Sequence, residues 1–304
     1  MDENGPQDRT QMRGGQAGDD ATPAVGDEGA VGWAYYVFGI APFTGQPMNG
    51  LPDETVAPGC PVYALAHGDM QVVVSRVPLA EFGTEPLKEN LRNLDWVRTK
   101  ALAHQSVLAG VCAGHTVIPI KFCTLFCDED RVCAMLDEHH EDFRATLAQL
   151  AGKQEWGVKA YCDQAVLGQH VGQVSDRVKE LRSTLAQKSP GAAYFVKKTL
   201  ARVVEEESER IKDEYAQRSH DRLSRHGFAS VVCELQDPAT TARKEQMVLN
   251  GAYLVAHEQL ASFRAELETM AEECGPLGFG YDMTGPWPAY NFTTIGVTKV
   301  GSDG

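Results

Sequence analysis

The 304-residue sequence is short of basic residues, and this shortage excludes partners that require a positive surface. Lys and Arg total 28 against 42 Asp and Glu, giving a net charge of −14. Nucleic acids and anionic membranes are bound by basic faces, so we expect neither as a partner. No apolar run approaches the roughly 20 residues of a transmembrane helix, and the first residues lack the basic-then-apolar order of a signal peptide. The sequence therefore predicts a cytoplasmic protein whose eight cysteines are reduced thiols.

The sequence also lacks the short motifs that identify many enzymes. It contains no GxGxxG loop, no GxxxxGK loop followed by Ser or Thr, and no GxSxG nucleophile turn. Acidic residues are scattered instead of paired in an apolar setting. We therefore predict no catalytic residue and no cofactor.

One dense group of metal-ligating residue types occurs in the middle of the chain. Zinc sites usually show tight ligand pairs such as CxxC. The two cysteines nearest in sequence here have CxxxC spacing among apolar residues, and the other members fall on a predicted helix. Buried free thiols and a surface histidine pair are the simpler interpretation, so we predict no metal. The group is Cys123, Cys127, Cys133, His139 and His140.

Residues 1–30 form an acidic tail. They carry seven acidic and two basic residues, and their only larger apolar side chains are Met1, Met12 and Val25. Such a segment cannot bury enough surface to offset its ordering entropy. We predict that it is disordered; the alternative is an acidic arm that docks on a partner.

Residues 31–164 are predicted to form an N-terminal α+β domain, a small sheet with packed helices. Uncharged β-branched and aromatic runs indicate strands, and apolar residues repeating every three or four positions indicate helices. Pro119 favours a sheet edge or a bulge because proline lacks a ladder donor. The predicted elements are strands 33–40, a hairpin of 62–66 and 70–77, strands 116–122 and 155–161, and helices 86–112 and 128–152.

His104 lies on the apolar stripe of the first long helix. A core histidine with its hydrogen bonds satisfied is the simpler interpretation, and a functional imidazole is the alternative.

Residues 165–304 are predicted to form a second α+β domain of helix, two strands, helix and strand. A long, charged helical region is split at Ser189-Pro190-Gly191. Its charge-dense part beyond Glu205 has few apolar residues, so we expect it to project into solvent or onto a partner. The predicted elements are helices 167–225, strands 229–235 and 246–255, a helix with Leu260, Phe263, Leu267, Met270 and Cys274 on one face, and strand 279–284.

The stretch from Gly285 to Phe292 holds a tryptophan between two prolines. Each proline fixes its own φ and keeps the preceding residue extended. Alternation after it resembles a strand, so we predict a strand that closes a core, with the indole as a buried plug. The residues predicted to shape the fold and a partner surface are Pro286, Trp287, Pro288, Tyr290 and Phe292.

Four groups of residues keep a characteristic order and spacing along the chain. They are Tyr35–Ile40, Ala103-His104 with Val117–Thr124, Gly191–Phe195, and Tyr253–Val255 with Gly285–Phe292. Together they resemble the gas vesicle accessory family GvpL/GvpF over about residues 33–292. The family more often has Arg-Phe-Gly-Thr where this chain has Lys121-Phe122-Cys123-Thr124, and it often has a second proline where this chain has Ala289.

The resemblance implies a C-terminal modified ferredoxin-like domain with long helices and a role in gas vesicle assembly without enzymatic activity. It implies binding of the hydrophobic shell protein GvpA and other accessory proteins during vesicle nucleation, and association with the gas vesicle. The residues themselves leave two alternative functions open. One is a small-molecule-binding regulatory protein on a ferredoxin-like scaffold, and the other is a metal-dependent enzyme using the cluster from Cys123 to His140.

Overall fold

The computed structural model describes residues 32–46, 48–53, 55–187, 190–237 and 243–293. The predicted acidic tail, residues 1–30, lies outside these ranges. No helix within them is long and apolar enough to cross a bilayer.

The first antiparallel sheet is built from β1 (Trp33–Pro42), β2 (Val62–His67), β3 (Met70–Pro78), β4 (Ile118–Pro119) and β5 (Leu125–Phe126). Its order is β2-β3-β1-β4, with β5 also paired to β1. The β2–β3 hairpin is therefore confirmed, and Pro119 lies on an edge strand as predicted. The predicted strand 116–122 is shorter than expected, because the chain turns after Pro119 and Cys123 adopts a φ of 61°.

The helices of this half are α1 (Leu79–Phe82), α2 (Thr84–Asn90), α3 (Leu94–Gly114), α4 (Glu129–Glu138) and α5 (His140–Leu150). Each long helix predicted here is broken once. The first breaks before Asn93, whose side chain accepts hydrogen bonds from the N–H groups of Asp95 and Trp96 and so begins α3. The second breaks at His139, which ends α4 and precedes α5.

The first sheet is covered on both faces. Aromatic and aliphatic side chains of β1 and β3 pack against α3 on one face, with Tyr36, Phe38, Val107 and Leu108 fully buried. The other face packs against α4 and α5 and also against residues of the second sheet, including Leu254. The two sheets thus share an apolar core.

The second antiparallel sheet is built from β6 (Lys153–Cys162), β7 (Ala229–Val232), β8 (Gln246–Ala256) and β9 (Phe279–Trp287). Its order is β7-β8-β6-β9. With helices following β6 and β8, this is the β-α-β-β-α-β arrangement of a ferredoxin-like fold, which confirms the α+β class. The assignment of strand 155–161 to the first sheet was wrong: β6 pairs with β8 and β9 along its whole length. The boundary between domains 31–164 and 165–304 stays a prediction.

The helices of this half are α6 (Gln164–Val174), α7 (Asp176–Ala186), α8 (Pro190–Ser224) and α9 (Leu260–Cys274). The predicted face of α9 is confirmed, and Gly275 follows its last residue. The prediction that the charge-dense part of α8 projects into solvent or onto a partner was wrong, because this part of the helix packs on the fold. Ile211 and Leu223 are buried there, and the buried Lys212 is held by Glu209 and Gln246. Pairing of its charges allows this helix to be buried despite its few apolar residues.

The turn of the β2–β3 hairpin is held to α4 and α5 by two histidine–aspartate contacts. His67 Nε2 lies 2.7 Å from Asp137 Oδ1, and His140 Nε2 lies 2.7 Å from Asp69 Oδ1. The Asp69 carboxylate raises the pKa of His140, and hydrogen bonding to His140 lowers the pKa of Asp69. Each partner thus favours the charged form of the other.

Candidate partner-binding site

The chain following β9 lies at the junction of the two sheets. The prediction of a strand over Tyr290 and Phe292 was wrong, because the chain forms one 3₁₀ turn from Tyr290 to Phe292. The N–H of Tyr290 donates to the carbonyl of Pro288, and that of Phe292 donates to the carbonyl of Ala289. This turn directs successive side chains to different parts of the fold.

Tyr290 is joined to the first sheet by a chain of hydrogen bonds through His104. The N–H of Cys123 donates to the Tyr36 hydroxyl (3.1 Å), and that hydroxyl lies 2.9 Å from His104 Nδ1. His104 Nε2 lies 2.9 Å from the Tyr290 hydroxyl, which donates to the Ile120 carbonyl (3.2 Å). A neutral His104 protonated on Nε2 satisfies every atom of this chain.

Burial keeps the side chains of Tyr36, His104 and Tyr290 in this hydrogen-bond network neutral. Burial lowers the pKa of His104 to about 4. Burial also raises the pKa of Tyr290 and, well above its ordinary value, that of Tyr36. The interpretation of His104 as a satisfied core histidine is confirmed. Its spacing on α3 indicated burial, but its distant tyrosine partners could not be found from the sequence.

Asn291 joins the same segment to the second sheet. Its side-chain amide donates to Glu155 Oε1 (2.7 Å), and its backbone N–H donates to Glu155 Oε2 (3.1 Å). Glu155 is buried, which raises the pKa of its carboxyl, while the two bonds from Asn291 act in the opposite direction. Phe292 is buried in the core shared by both sheets. Consecutive residues therefore bind one sheet, then the other, and then fill the space between them.

Trp287 is not the buried plug predicted from the sequence: 45% of its surface is exposed. It ends β9, an edge strand, where the ladder to β6 shifts register between Glu155 and Gly157. Its indole N–H donates to Thr284 Oγ1, 3.1 Å away. Gly157 has no side chain, and this leaves space beside the indole. Two residues before Trp287, Gly285 adopts a positive φ of 123°, a conformation that favours glycine.

The exposed indole lines a cleft of about 90 Å³ between the C-terminal segment and the end of α3. The proline on each side of Trp287 contributes to the wall, and so do two alanines of α3. Of the five residues predicted to shape a partner surface, Pro286, Trp287 and Pro288 line the cleft, and of these Pro288 is largely buried. Phe292 is buried in the core, and Tyr290 is 36% exposed while its hydroxyl contacts His104.

Exposed apolar side chains of α3 lie on the side of the helix that reaches this cleft, with the exposed Arg98 between the two leucines. Leu94 and Leu102 are 82% and 62% exposed, and they are eight residues apart, which places them on one side of a helix. Ala109 and Ala113 lie on the same side and line the cleft. We call Leu94, Leu102, Ala109 and Ala113 the α3 face. Together with the indole of Trp287, these side chains are candidate contacts for an apolar partner.

The cysteine and histidine group forms no ligand cluster. Within the described residues, no three His, Cys, Asp or Glu side chains come together to hold a metal ion. Burial raises the pKa of Cys123 to about 12 and also raises that of Cys127, so neither thiol is activated as a nucleophile. The His140 ring is occupied by Asp69 and Glu141. The eight cysteines, all within the described ranges, are free thiols.

The fold and this site define an α+β protein with two antiparallel sheets that are joined by its C-terminal segment. Residues 34–294 match the family of gas vesicle synthesis proteins GvpL/GvpF, and the chain belongs to this family. Its role is therefore related to gas vesicles, and the family is not a known enzyme family.

Relatives and solved structures agree with this assignment. The chain is 30% identical to gas vesicle protein L of Streptomyces sp. (strain CB03234) over 262 residues, 86% of this chain and 92% of the relative. It is 28% identical to gas vesicle protein L1 of Halobacterium salinarum over 211 residues, 66% of this chain and 72% of the relative. The crystal structure of GvpF from Anabaena sp. PCC7120 has the same fold, with a TM-score of 0.65 and 18% identity. That likeness covers 87% of this chain and 99% of the other.

Proposed function

We propose that this protein is a cytoplasmic, gas vesicle-associated assembly factor that binds the hydrophobic shell protein GvpA and other accessory proteins during vesicle nucleation. The observation that carries the proposal is the exposed α3 face, which runs into the cleft beside Trp287. A hydrophobic subunit needs apolar surface on the protein that handles it, and exposed Leu and Trp side chains supply that surface.

The proposal assigns different tasks to the predicted residues of the C-terminal segment. Pro288, Tyr290 and Phe292 hold the segment between the sheets, while Pro286 and Trp287 present the indole at the cleft. This revises the expectation that Trp287 only shapes the surface, because its ring is accessible.

The proposal includes no catalytic activity. His104 is enclosed between two tyrosines and stays neutral. Burial raises the pKa values of Cys123 and Cys127, which disfavours the thiolate that nucleophilic catalysis needs. The net charge of −14 supports protein partners over nucleic acids.

The test is binding of purified full-length protein to GvpA, measured with variants of exposed side chains. Trp287→Ala and Leu102→Lys should each weaken binding by about tenfold or more, as expected for interface anchors. Trp33→Ala is the matched control, since Trp33 is a tryptophan with 50% exposure that neither lines the cleft nor lies on α3, and it should bind like the wild type.

Thermal melts of the same variants separate binding from folding. Phe292→Ala removes a buried ring and should lower the free energy of unfolding by about 3–5 kcal/mol, whereas Trp287→Ala should cost much less. Full binding by both Trp287→Ala and Leu102→Lys would overturn the proposed surface.

A further inference from the structure

The outer edge of β7, a strand of four residues, carries no charged residue and no proline of its own. Natural edge strands are usually shielded by charged residues, proline or a covering element. β7 reads Ala-Ser-Val-Val, with neither charge nor proline. Within the described residues, β7 pairs with β8 alone.

Large apolar side chains cluster along this edge. Val231 and Val232 are 38% and 56% exposed, and Phe228 and Leu235 next to the strand are 60% and 53% exposed. This surface adjoins the Trp287 cleft at Lys153, which lines the cleft and lies over the ring of Phe228.

The hydrogen-bonding groups on the outer side of β7 can be assigned from the ladder. The N–H of Cys233 donates to Asn250 of β8, in register with the pairing of Val232 with Gly251. Bonds to one neighbour alternate along an antiparallel strand, so Val231 also faces β8. The N–H and C=O groups of Ser230 and Val232 therefore point away from the sheet and are positioned to accept another strand.

We propose that a second copy of this chain pairs with this edge, β7 against β7, antiparallel about a twofold axis through Val232. Val232 then lies opposite Val232 of the other copy, and their backbone groups form the shared hydrogen bonds. Ser230 lies opposite Glu234, whose carbonyl already accepts from Asn250 Nδ2 (2.7 Å) and so does not extend the shared ladder. The β7-β8-β6-β9 sheets of the two copies then form one continuous sheet, and the exposed valines of both copies meet at its centre.

Charge complementarity favours a second copy as the occupant. Lys153 Nζ lies 4.3 Å from the ring centroid of Phe228, at one end of β7. Glu234 is exposed at the other end. An antiparallel twofold brings the Lys153 end of each copy toward the Glu234 end of the other, which is the self-complementarity that a twofold interface requires.

Sedimentation velocity of the full chain over a range of concentrations tests this pairing. The wild type should show a concentration-dependent equilibrium between monomer and dimer. Val232→Pro should be monomeric, because proline removes the outward donor at 232 while the inward bonds to β8 remain. Circular dichroism melts establish that each variant is folded.

Charge variants give a second test that does not alter the backbone. Glu234→Lys should weaken the dimer by about tenfold, and this effect should shrink at high salt because the charges are screened. Glu234→Gln should have an intermediate effect, and Leu102→Lys on α3 should dimerise like the wild type. A wild type that is monomeric at every concentration, or a dimer that survives both Val232→Pro and Glu234→Lys, would overturn the proposal. So would loss of the dimer in Leu102→Lys.

Discussion

The imidazole Nε2 of His104 and the hydroxyl oxygen of Tyr290 lie 2.9 Å apart, although 186 residues separate them in the chain. Through this contact the C-terminal segment is held on the first sheet, while Asn291 binds Glu155 of the second sheet. The relative position of the two sheets therefore depends on a few polar contacts as well as on the apolar core.

Tyr290→Phe tests the first of these contacts. Loss of the hydroxyl leaves the Nε2–H of His104 and the Ile120 carbonyl without their partner, which should lower the free energy of unfolding by about 1–3 kcal/mol. Urea unfolding measures the change. Tyr215→Phe is the control, since its ring stacks 4.8 Å from Phe279 and this contact does not need the hydroxyl. Equal stability of wild type and Tyr290→Phe would contradict the role of the hydroxyl.

The stability of the protein should depend on the protonation of His104. Its pKa of about 4 is below the ~6.5 of an exposed histidine, so the unfolded chain takes up this proton first. The contribution of neutral His104 is fully present above about pH 6.5 and is lost as the pH falls toward 4. At pH 5 the expected loss is about 2 kcal/mol.

Urea unfolding at about pH 7.5 and pH 5 measures this loss. His104→Gln does not titrate, so that part of the pH dependence should disappear in the variant. The same decrease in wild type and variant would assign the pH effect to other groups.

Asn291→Asp should place a second carboxylate against the buried Glu155. Two carboxylates in contact raise the pKa of one of them, and a buried charge without a partner costs about 3 kcal/mol or more. The variant should therefore be least stable near neutral pH and should recover as the pH falls toward 5, where one carboxyl is protonated. Asn291→Ala, which adds no charge, is the matched control. Asn291→Ala also removes a donor from Glu155 and should recover less than Asn291→Asp, so equal recovery in both variants would show that repulsion is not the cause.

Asp69→Asn should return the pKa of His140 toward the ordinary histidine value, because the carboxylate of Asp69 is the main cause of its increase. Because the pKa of His140 is higher in the folded protein than in the unfolded chain, its ion pair with Asp69 stabilises the hairpin contact fully at a pH below the unfolded-state pKa. This stabilisation is lost as the pH rises through the folded-state pKa. An NMR titration of the His140 ring measures this. Asp137→Asn changes the contact of His67 instead and should leave the His140 titration unchanged.

The sequence predicted those features that depend on neighbours along the chain. The apolar spacing of Phe263 to Cys274 placed α9 correctly, and the turn at Gly68 placed the hairpin. Features that depend on distant pairing were missed. Nothing local to residues 153–162 shows that β6 pairs with strands about 90 and 125 residues further on.

The candidate site shows the same limit. Aromatic character suggested burial of Trp287, but Trp287 ends an edge strand and is 45% exposed. Sequence periodicity placed His104 on a buried face, yet its two tyrosine partners come from β1 and from the C-terminal segment. Their convergence is a property of the folded chain.

The junction at Tyr290 to Phe292 has a consequence for the order of events during protein synthesis. The strands of the first sheet and most of the second leave the ribosome before this segment does. Each growing chain therefore passes through a stage in which the buried ring of His104 and the carboxylate of Glu155 are still uncovered and the two sheets are not yet fixed together. Sheet-edge strands and apolar faces are accessible at that stage, so arrival of residues 290–292 is the step that ends the period of greatest exposure to aggregation and proteolysis.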